Sequence, residues 1–320
     1  MKQLQGVHVL VTGGAGFVGS SIVARLLEYG AEVTVLDDLF TGKRENLPEE
    51  RRLRFILGSV TDAGVVEEAM AGCEIVIHAA ARNITVSTRN PREDFQTNIG
   101  GTLNVLLAAR KLGVRRVVYT STSSIYGNAR YLPINEDDQY ATLSPYAVSK
   151  FAGENYCTAF YESFGLSTCV VRYSNIYGPR QSPDNPYCGV VAKFFDAAMQ
   201  DRPLLIHGDG EQTRDFTYVE DAVQATLLAA VSTKAEGRVY NVGTGREVTI
   251  NYLAECVAKV FGKPLRVEHI DRRDIDNIRR RVMNIERIRR ELRWVPETTL
   301  EEGLRRTREW LEGSEHGGMP

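Results

Sequence analysis

The sequence predicts an α/β fold in which a doubly wound, mainly parallel sheet is followed by a smaller C-terminal α/β lobe. The first observation is that the N-terminal half alternates short, almost continuously apolar runs with amphipathic helical patterns. Apolar runs of this kind are typical of parallel strands that helices cover on both faces. The second observation is that this rhythm breaks after about residue 176, where "IYGPRQSPDNPYCG" is rich in proline and glycine. We therefore expect a sheet domain and a later lobe of mixed elements.

Six apolar runs predict the first six strands of the sheet. The helical patterns between them are what crossover connections between parallel strands require. The runs lie at 7–13, 32–38, 53–59, 74–81, 115–123 and 167–175. We expect residues 1–176 to form the sheet domain, with segments near 205–245 returning to it, and residues 177–312 to form mainly the smaller lobe. Residues 313–320 have nothing to pack and are expected to be a flexible tail.

Composition argues against several classes of protein. The chain has 320 residues and a net charge of −2, so nothing favours a nucleic acid or a membrane surface as its partner. Its five cysteines are widely spaced without a C-x-x-C pair, and its five histidines are scattered, so we expect no metal site and no disulfide framework. The N-terminus does not resemble a signal peptide, and no apolar run is long enough to span a bilayer. We expect a cytoplasmic protein with reduced thiols.

A glycine-rich turn predicts a Rossmann-type dinucleotide site. Gly13, Gly16 and Gly19 are spaced G-x-x-G-x-x-G between the first strand and a helix, so that a pyrophosphate can approach the backbone at the helix N-terminus. Asp37 ends the second strand 18 residues after Gly19. A carboxylate there accepts hydrogen bonds from a ribose diol and repels a 2′-phosphate. The sequence therefore predicts NAD rather than NADP as the cofactor.

A tyrosine and a lysine follow a row of small hydroxyl side chains. "STSSIYG" begins at residue 121, and "SPYAVSK" places Tyr146 and Lys150 four residues apart on a predicted helix, so both point the same way. A free phenol has a pKa of about 10, too high for a base at neutral pH. We expect the neighbouring ammonium and a cationic nicotinamide to lower it. The pair then suits removal of a proton from a substrate alcohol while hydride leaves its carbon.

Taken together, the motifs resemble those of the extended short-chain dehydrogenase/reductases that act on nucleotide-diphosphate sugars, and in particular the UDP-glucose 4-epimerase-like enzymes. The resemblance covers about residues 7 to 312. It implies a tightly bound NAD, a UDP-sugar substrate and a homodimer formed by the helices near 91–113 and 144–164. The motifs that carry it are "TGGAGFVG", "DDLFTG", "HAAA", "TNIGGT", "STSSIYG", "SPYAVSK", "RYSNIYGPRQ", "GDGEQTRDFTYVEDAV" and "YNVGTG".

The resemblance also implies three sets of site residues. The catalytic set, in which Thr122 bonds the sugar O4 beside the base, is Thr122, Tyr146 and Lys150. The cofactor set is Gly13, Gly16, Phe17, Val18, Gly19, Asp37, Asp38, Thr41, Gly42, Ser59, Val60, Ala79, Ala80, Ala81, Asn98, Tyr146, Lys150 and Tyr173. The substrate set is Thr122, Ser123, Ser124, Tyr146, Asn175, Arg180, Val190, Lys193, Arg214 and Asp274.

Two positions depart from the family's pattern. Ser59 stands where the family has an aspartate that meets the adenine amino group, so that contact is weaker or comes from the Val60 backbone. Arg273 stands where a glycine is expected before Asp274. Asp274 fits the pattern, but the arginine that meets the diphosphate in the C-terminal lobe stays unassigned.

The hydroxyl row favours one reaction within this superfamily. Sugar 4,6-dehydratases follow the threonine with Asp and Glu, and uronate decarboxylases place a Glu in the same stretch. This chain has Ser123 and Ser124, which do not exchange protons near neutral pH. The sequence therefore predicts a redox-neutral UDP-hexose 4-epimerase that oxidises C4 transiently, lets the keto sugar rotate and returns the hydride.

Other activities stay open at the level of sequence. The hydroxyls, with Arg180 as counter-ion, would also suit the C6 carboxylate of UDP-glucuronate, and UDP-N-acetylglucosamine is a further alternative. A 4-keto-sugar reductase would use the same residues but consume its cofactor. A non-catalytic NAD sensor would need neither Tyr146 nor Lys150. The sequence alone identifies neither the sugar nor the nucleotide.

Overall fold

The computed structural model describes residues 2–181, 189–272 and 278–315. The strands within these residues are β1 (His8–Thr12), β2 (Glu32–Asp37), β3 (Leu53–Leu57), β4 (Ile75–His78), β5 (Arg116–Thr122), β6 (Thr168–Tyr173), β7 (Asn175–Tyr177), β8 (Leu204–His207), β9 (Thr213–Arg214), β10 (Phe216–Tyr218), β11 (Arg238–Val242), β12 (Val248–Thr249) and β13 (Val267–Ile270). Seven of them form one parallel sheet in the order β3-β2-β1-β4-β5-β6-β11. This confirms the predicted Rossmann-type sheet.

Helices connect the strands and cover both faces of the sheet. They are α1 (Phe17–Glu28), α2 (Ala63–Met70), α3 (Ile84–Arg89), α4 (Pro91–Asp94), α5 (Thr102–Lys111), α6 (Pro145–Phe164), α7 (Val190–Met199), α8 (Val219–Val231), α9 (Ile250–Phe261), α10 (Glu286–Leu292) and α11 (Leu300–Glu315). A π-helical segment, Phe95–Gly101, joins α4 to α5.

Two apolar clusters lie on opposite faces of the main sheet. One packs α1 and α8 against the strands through residues such as Ile22, Leu26 and Val223. The other packs α2, α5 and α6 against the opposite face through residues such as Val66 and Val105. Because helices cover both faces of the sheet, side chains on both sides of the inner strands are buried. This explains why the strands appear in the sequence as continuous apolar runs.

The first turn explains two of the glycines. Gly13 has φ +70°, and a Cβ there would lie 2.6 Å from the backbone nitrogen of Ala80. A Cβ on Gly19 would lie 2.0 Å from the carbonyl oxygen of Gly13. Only glycine lets the loop after β4 and helix α1 approach the turn so closely. The turn therefore lies directly against the loop that carries residues 79 to 82.

The later part of the chain builds small strand pairs beside the main sheet. β7 pairs with β10, β8 with β13, and β9 with β12. A third apolar cluster packs α7 and α9 against these elements through residues such as Phe194, Phe195 and Leu253. β11 lies at the edge of the main sheet beside β6. The exact domain boundaries stay a prediction.

Candidate active site

A cleft runs along the carboxyl ends of the parallel strands, where ligands bind in sheets of this type. Every residue of the predicted cofactor set lines it except Ser59 and Asn98. It is also lined by seven residues that sequence reasoning missed, namely Leu36, Phe40, Gly58, Arg82, Thr97, Thr120 and Ser121. Sheet topology explains the convergence, since the turns that follow β1, β2, β4 and β5 meet at one edge.

The two residues outside the lining support it from behind. Ser59 accepts hydrogen bonds from the backbone nitrogen and the hydroxyl of Thr61 and so shapes the turn before α2. Asn98 is buried, and its side chain accepts from the backbone nitrogen of Arg82 (2.7 Å) and donates to the carbonyl of Arg82 (3.0 Å). Asn98 therefore fixes the backbone of the loop after β4.

Asp37 and Asp38 occupy different environments at the end of β2. Asp37 is buried and accepts hydrogen bonds from the backbone nitrogens of Ala15 and Leu39, at 2.9 and 2.8 Å. Burial raises the pKa of its carboxyl, and these two backbone donors oppose the rise. Asp38 instead pairs with Arg82 at 2.8 Å. Asp37 thus ties the glycine-rich turn to β2, and its unused lone pairs are available to a ribose diol.

Tyr146 and Lys150 lie on the first turns of α6, which begins after the N-cap Ser144 and has proline at its first position. Thr122 ends β5, and a hydrogen bond with it lowers the pKa of the Tyr146 phenol. Burial dominates, however, and raises that pKa to about 12. The Lys150 ammonium lies 4.1 Å from the centre of the Tyr119 ring, and burial lowers its pKa to about 8.

These values differ from the expectation that the lysine would lower the pKa of the phenol. In the protein alone, burial raises the pKa of Tyr146 more than the hydrogen bond with Thr122 lowers it, and the Asp94 carboxylate adds to the rise. The positive charge of an oxidised nicotinamide is the remaining influence that favours the phenolate. We therefore expect Tyr146 to act as a base with the oxidised cofactor beside it.

A buried carboxylate that sequence reasoning missed lies behind this pair. Asp94 accepts hydrogen bonds through one oxygen from Ser87, Ser149 (2.9 Å) and Asn98 (2.6 Å). Ser149 stands between Tyr146 and Lys150 in the sequence, so Asp94 fixes the turn of α6 that carries both. Asp94 lies shortly before "TNIGGT" in the sequence. Nothing in the neighbouring sequence indicates that its side chain is buried.

The hydroxyl side chains of residues 121 to 124 lie in different surroundings. Thr122 Oγ1 accepts a hydrogen bond from the backbone nitrogen of Ser124 (3.1 Å) and lies 3.2 Å from its hydroxyl. Ser123 is buried. Ser121 lines the cleft, and its buried hydroxyl has no partner within the protein. A buried hydroxyl without a partner is costly, so Ser121 is suited to bond a ligand.

The predicted substrate residues are spread over several elements. Asn175, on β7, has a buried side-chain oxygen without a partner in the protein, which fits a ligand contact. Val190 and Lys193 lie on the first turn of α7. Arg214 is buried and donates to the carbonyls of Thr213 and Ile278, both at 2.8 Å. Asp274 lies outside the described residues.

Arg180 does not join this group. It has φ +68° and lines a second cavity together with Arg44 and with Leu27 and Glu28 of α1. Burial lowers the pKa of its guanidinium, and Glu220 and Glu28 oppose this. Its position gives no support to the expected contact between Arg180 and a sugar carboxylate.

The arrangement fits NAD on observations of the chain itself. The turn at Gly13 would be filled by any Cβ, α1 begins directly behind it, and Asp37 faces the same cleft. The hydroxyl of Ser121, which has no hydrogen-bond partner in the protein, lines the same cleft as Tyr146 and Lys150. Fold and cleft together define a dinucleotide-binding protein with a tyrosine–lysine pair.

Comparison with known proteins is consistent with this class. The chain belongs to the NAD dependent epimerase/dehydratase family, whose sequence profile matches residues 9–243. NAD is therefore its cofactor, as predicted.

Three similar proteins illustrate the range of the family. A putative UDP-glucose 4-epimerase of Methanocaldococcus jannaschii is 36% identical over 310 residues, covering 96% of this chain and 99% of that one. A UDP-N-acetyl-alpha-D-glucosaminuronate decarboxylase of Bacillus cytotoxicus is 34% identical, covering 96% and 98%. The crystal structure of a Thermotoga maritima UDP-glucose 4-epimerase with UDP-glucose has a TM-score of 0.92 at 36% identity, covering 97% and 100%. Family membership alone does not separate these reactions.

Two further findings concern membrane spans and metal sites within the described residues. None of the helices there is both long and apolar enough to cross a bilayer. The same residues contain no group of three or more His, Cys, Asp or Glu placed to hold a metal ion.

Proposed function

We propose that this protein is an NAD-dependent 4-epimerase of a UDP-hexose. The observation that carries the proposal is the absence of a carboxylate beside the tyrosine in the described cleft lining. The acids that line it there are Asp37, which ends β2, and Asp38, which follows it, whereas Tyr146 lies on α6. The stretch that carries an acid in dehydratases and decarboxylases supplies Ser123 and Ser124 instead. Elimination and decarboxylation lack their acid–base group, whereas epimerisation needs none beyond the tyrosine.

The chain's own residues supply the proton chemistry. Thr122 and Ser124 hold the substrate alcohol beside Tyr146, whose phenolate oxygen takes the proton from it. NAD, when bound, would supply the hydride acceptor and, in its reduced form, the donor that returns the hydride. Lys150 keeps a positive charge beside the site at neutral pH, because its pKa is about 8. After the keto sugar presents its other face, Tyr146 returns the proton, so the protein ends in its starting state.

The UDP part of the proposal rests on the similar proteins and on Asn175. The Thermotoga maritima structure contains UDP-glucose. In this chain the side-chain oxygen of Asn175 has no hydrogen-bond donor within the protein, and a ribose or sugar hydroxyl would supply one. The UDP-glucuronate alternative is weakened because Arg180, its expected counter-ion, lies at another cavity. UDP-N-acetylglucosamine stays an alternative outcome of the test.

The test is to incubate the purified protein with UDP-glucose, UDP-N-acetylglucosamine and UDP-glucuronate separately, without added cofactor, and to identify products by proton NMR. We expect the 4-epimer of UDP-glucose. A 4-keto-6-deoxy sugar or a pentose would contradict the proposal, and a need for stoichiometric reduced cofactor would indicate a reductase. A Tyr146→Phe variant that still binds NAD but has lost turnover separates an enzyme from a sensor.

We also propose a cytoplasmic homodimer. Leu107 on α5 and Val148 and Phe164 on α6 are about half exposed and apolar. These helices pack side by side, so a second copy would cover both. The described cysteines are buried free thiols, which suits a reducing compartment. Light scattering after gel filtration should give the mass of two chains, and Val148→Asp should give that of one.

A further inference from the structure

Arg82 connects the two sides of the cofactor cleft. It follows β4, and its guanidinium donates to Asp38, which follows β2, at 2.8 Å. In the sheet β1 lies between β4 and β2. The ion pair therefore crosses above the end of β1, where the glycine-rich turn begins. Both of its members line the cleft.

Other contacts hold Arg82 in this crossing position. Its guanidinium also donates to Glu93, at 2.7 Å, and stacks 4.0 Å from the centre of the Phe40 ring. The Arg82 side chain is only 12% exposed, although Phe40 itself is 43% exposed. Asn98 binds both backbone polar groups of Arg82. An isolated surface ion pair contributes little, but one that is stacked, doubly paired and held by its backbone is preorganised.

We propose that Arg82, with Asp38 and Phe40, is a clasp that closes over the bound dinucleotide and slows its release. Epimerisation returns the cofactor to its oxidised form at every turnover, so nothing requires NAD to leave. A contact across the mouth of the cleft therefore gives retention without obstructing the reaction. The inference rests on NAD binding in this cleft and is independent of the sugar.

The first experiment compares Arg82→Met with the wild type. Methionine keeps much of the side-chain length and removes the charge. We expect NAD release, followed by displacement with a labelled competitor, to be on the order of tenfold faster in R82M, because two charge-assisted hydrogen bonds are lost. The variant should also lose NAD on gel filtration and need added NAD for turnover. Arg92→Met, at an exposed arginine next to Glu93, is the matched control and should release NAD as the wild type does.

A second experiment tests whether the effect passes through the ion pair. Asp38→Asn keeps the oxygen that accepts from the backbone of Phe40 but removes the charge facing Arg82. If the pair is the clasp, Arg82→Met should change the release rate much less in the D38N background than in the wild type. Equal effects in both backgrounds would overturn the clasp.

A second variant, Glu93→Gln, tests the clasp if R82M folds poorly. Glu93 does not line the cleft, and Glu93→Gln loosens the anchor of Arg82 without touching the cofactor site. It should accelerate release by a smaller factor. Release within twofold of wild type in a folded R82M, or in E93Q when R82M is unfolded, contradicts the proposal. A protein that retains NAD but converts no UDP-sugar would refute the proposed function and leave the clasp intact.

Discussion

The cofactor end and the sugar end of the site are built in different ways. At the cofactor end, the glycine-rich turn, Asp37 and residues 79 to 81 each follow a strand of one parallel sheet, so sheet order alone brings them together. At the sugar end, Asn175, Val190 and Arg214 come from separate small elements beside the sheet. Short motifs and strand order therefore predict most of the lining of this cleft, whereas the residues expected to meet the sugar lie on elements whose positions depend on long-range packing.

Arg180 illustrates the difference. The motif "YGPRQ" made it a candidate counter-ion for a sugar carboxylate, but the chain turns through a left-handed conformation there and carries the side chain to the cavity beside α1. The motif identifies the arginine but not the cavity at which its side chain lies.

The largest expected effect lies at the chemical centre that both ends share. Tyr146→Phe removes the hydroxyl and leaves the ring, so we expect kcat to fall about a thousandfold, as for loss of a general base. The amount of NAD that purifies with the variant should not change. A variant that keeps a tenth of the wild-type kcat would mean that another group accepts the proton.

The next effect tests the rigidity of the cofactor end. Gly13→Ala combines φ +70° with a Cβ 2.6 Å from the backbone of Ala80 and should lower the free energy of unfolding by about 3 kcal/mol or more. Gly165→Ala is its control, because Gly165 has φ +67° but open space around it, and should cost about 1 kcal/mol. Denaturant unfolding measures both. Equal costs would mean that close approach at Gly13 is unimportant.

At the sugar end, the contrast between two side chains is the test. Asn175→Ala should raise KM for the UDP-sugar about tenfold, since it removes the acceptor that lacks a partner in the protein. Arg180→Met should change KM by less than about twofold, because Arg180 lines a different cavity. The reverse ranking in steady-state kinetics would restore Arg180 to the substrate site.

The smallest effect concerns the buried carboxylate behind the catalytic pair. Burial dominates the pKa of both Tyr146 and Lys150, and the Asp94 carboxylate raises both. Asp94→Asn keeps an acceptor oxygen and removes the charge, so the phenol and the ammonium should each lose their proton at lower pH. The profile of kcat against pH should move toward acid by less than about one unit. A shift toward alkali would contradict the assigned sign.

Sequence reasoning reached the sheet, the glycine-rich turn and most of the cofactor lining because each depends on local pattern and strand order. It missed Asp94, since a carboxylate before a glycine-rich segment reads as a surface acid until α6 is seen to cover it. It missed Arg82, whose partners Asp38 and Glu93 lie on two other segments. The sequence predicts that Lys150 and a bound nicotinamide lower the pKa of the Tyr146 phenol, and it does not show that burial raises this pKa to about 12 in the protein alone. In each case the missing information was which distant segment covers the residue.

The most direct test of the central claim follows the hydrogen at C4. UDP-glucose carrying deuterium at C4 is incubated with the protein in ordinary water, without added cofactor, and the product is analysed by mass spectrometry and NMR. If Tyr146 and the resident NAD remove and return the same hydride, the 4-epimer keeps its deuterium in full. Exchange of that deuterium for solvent hydrogen would contradict the account.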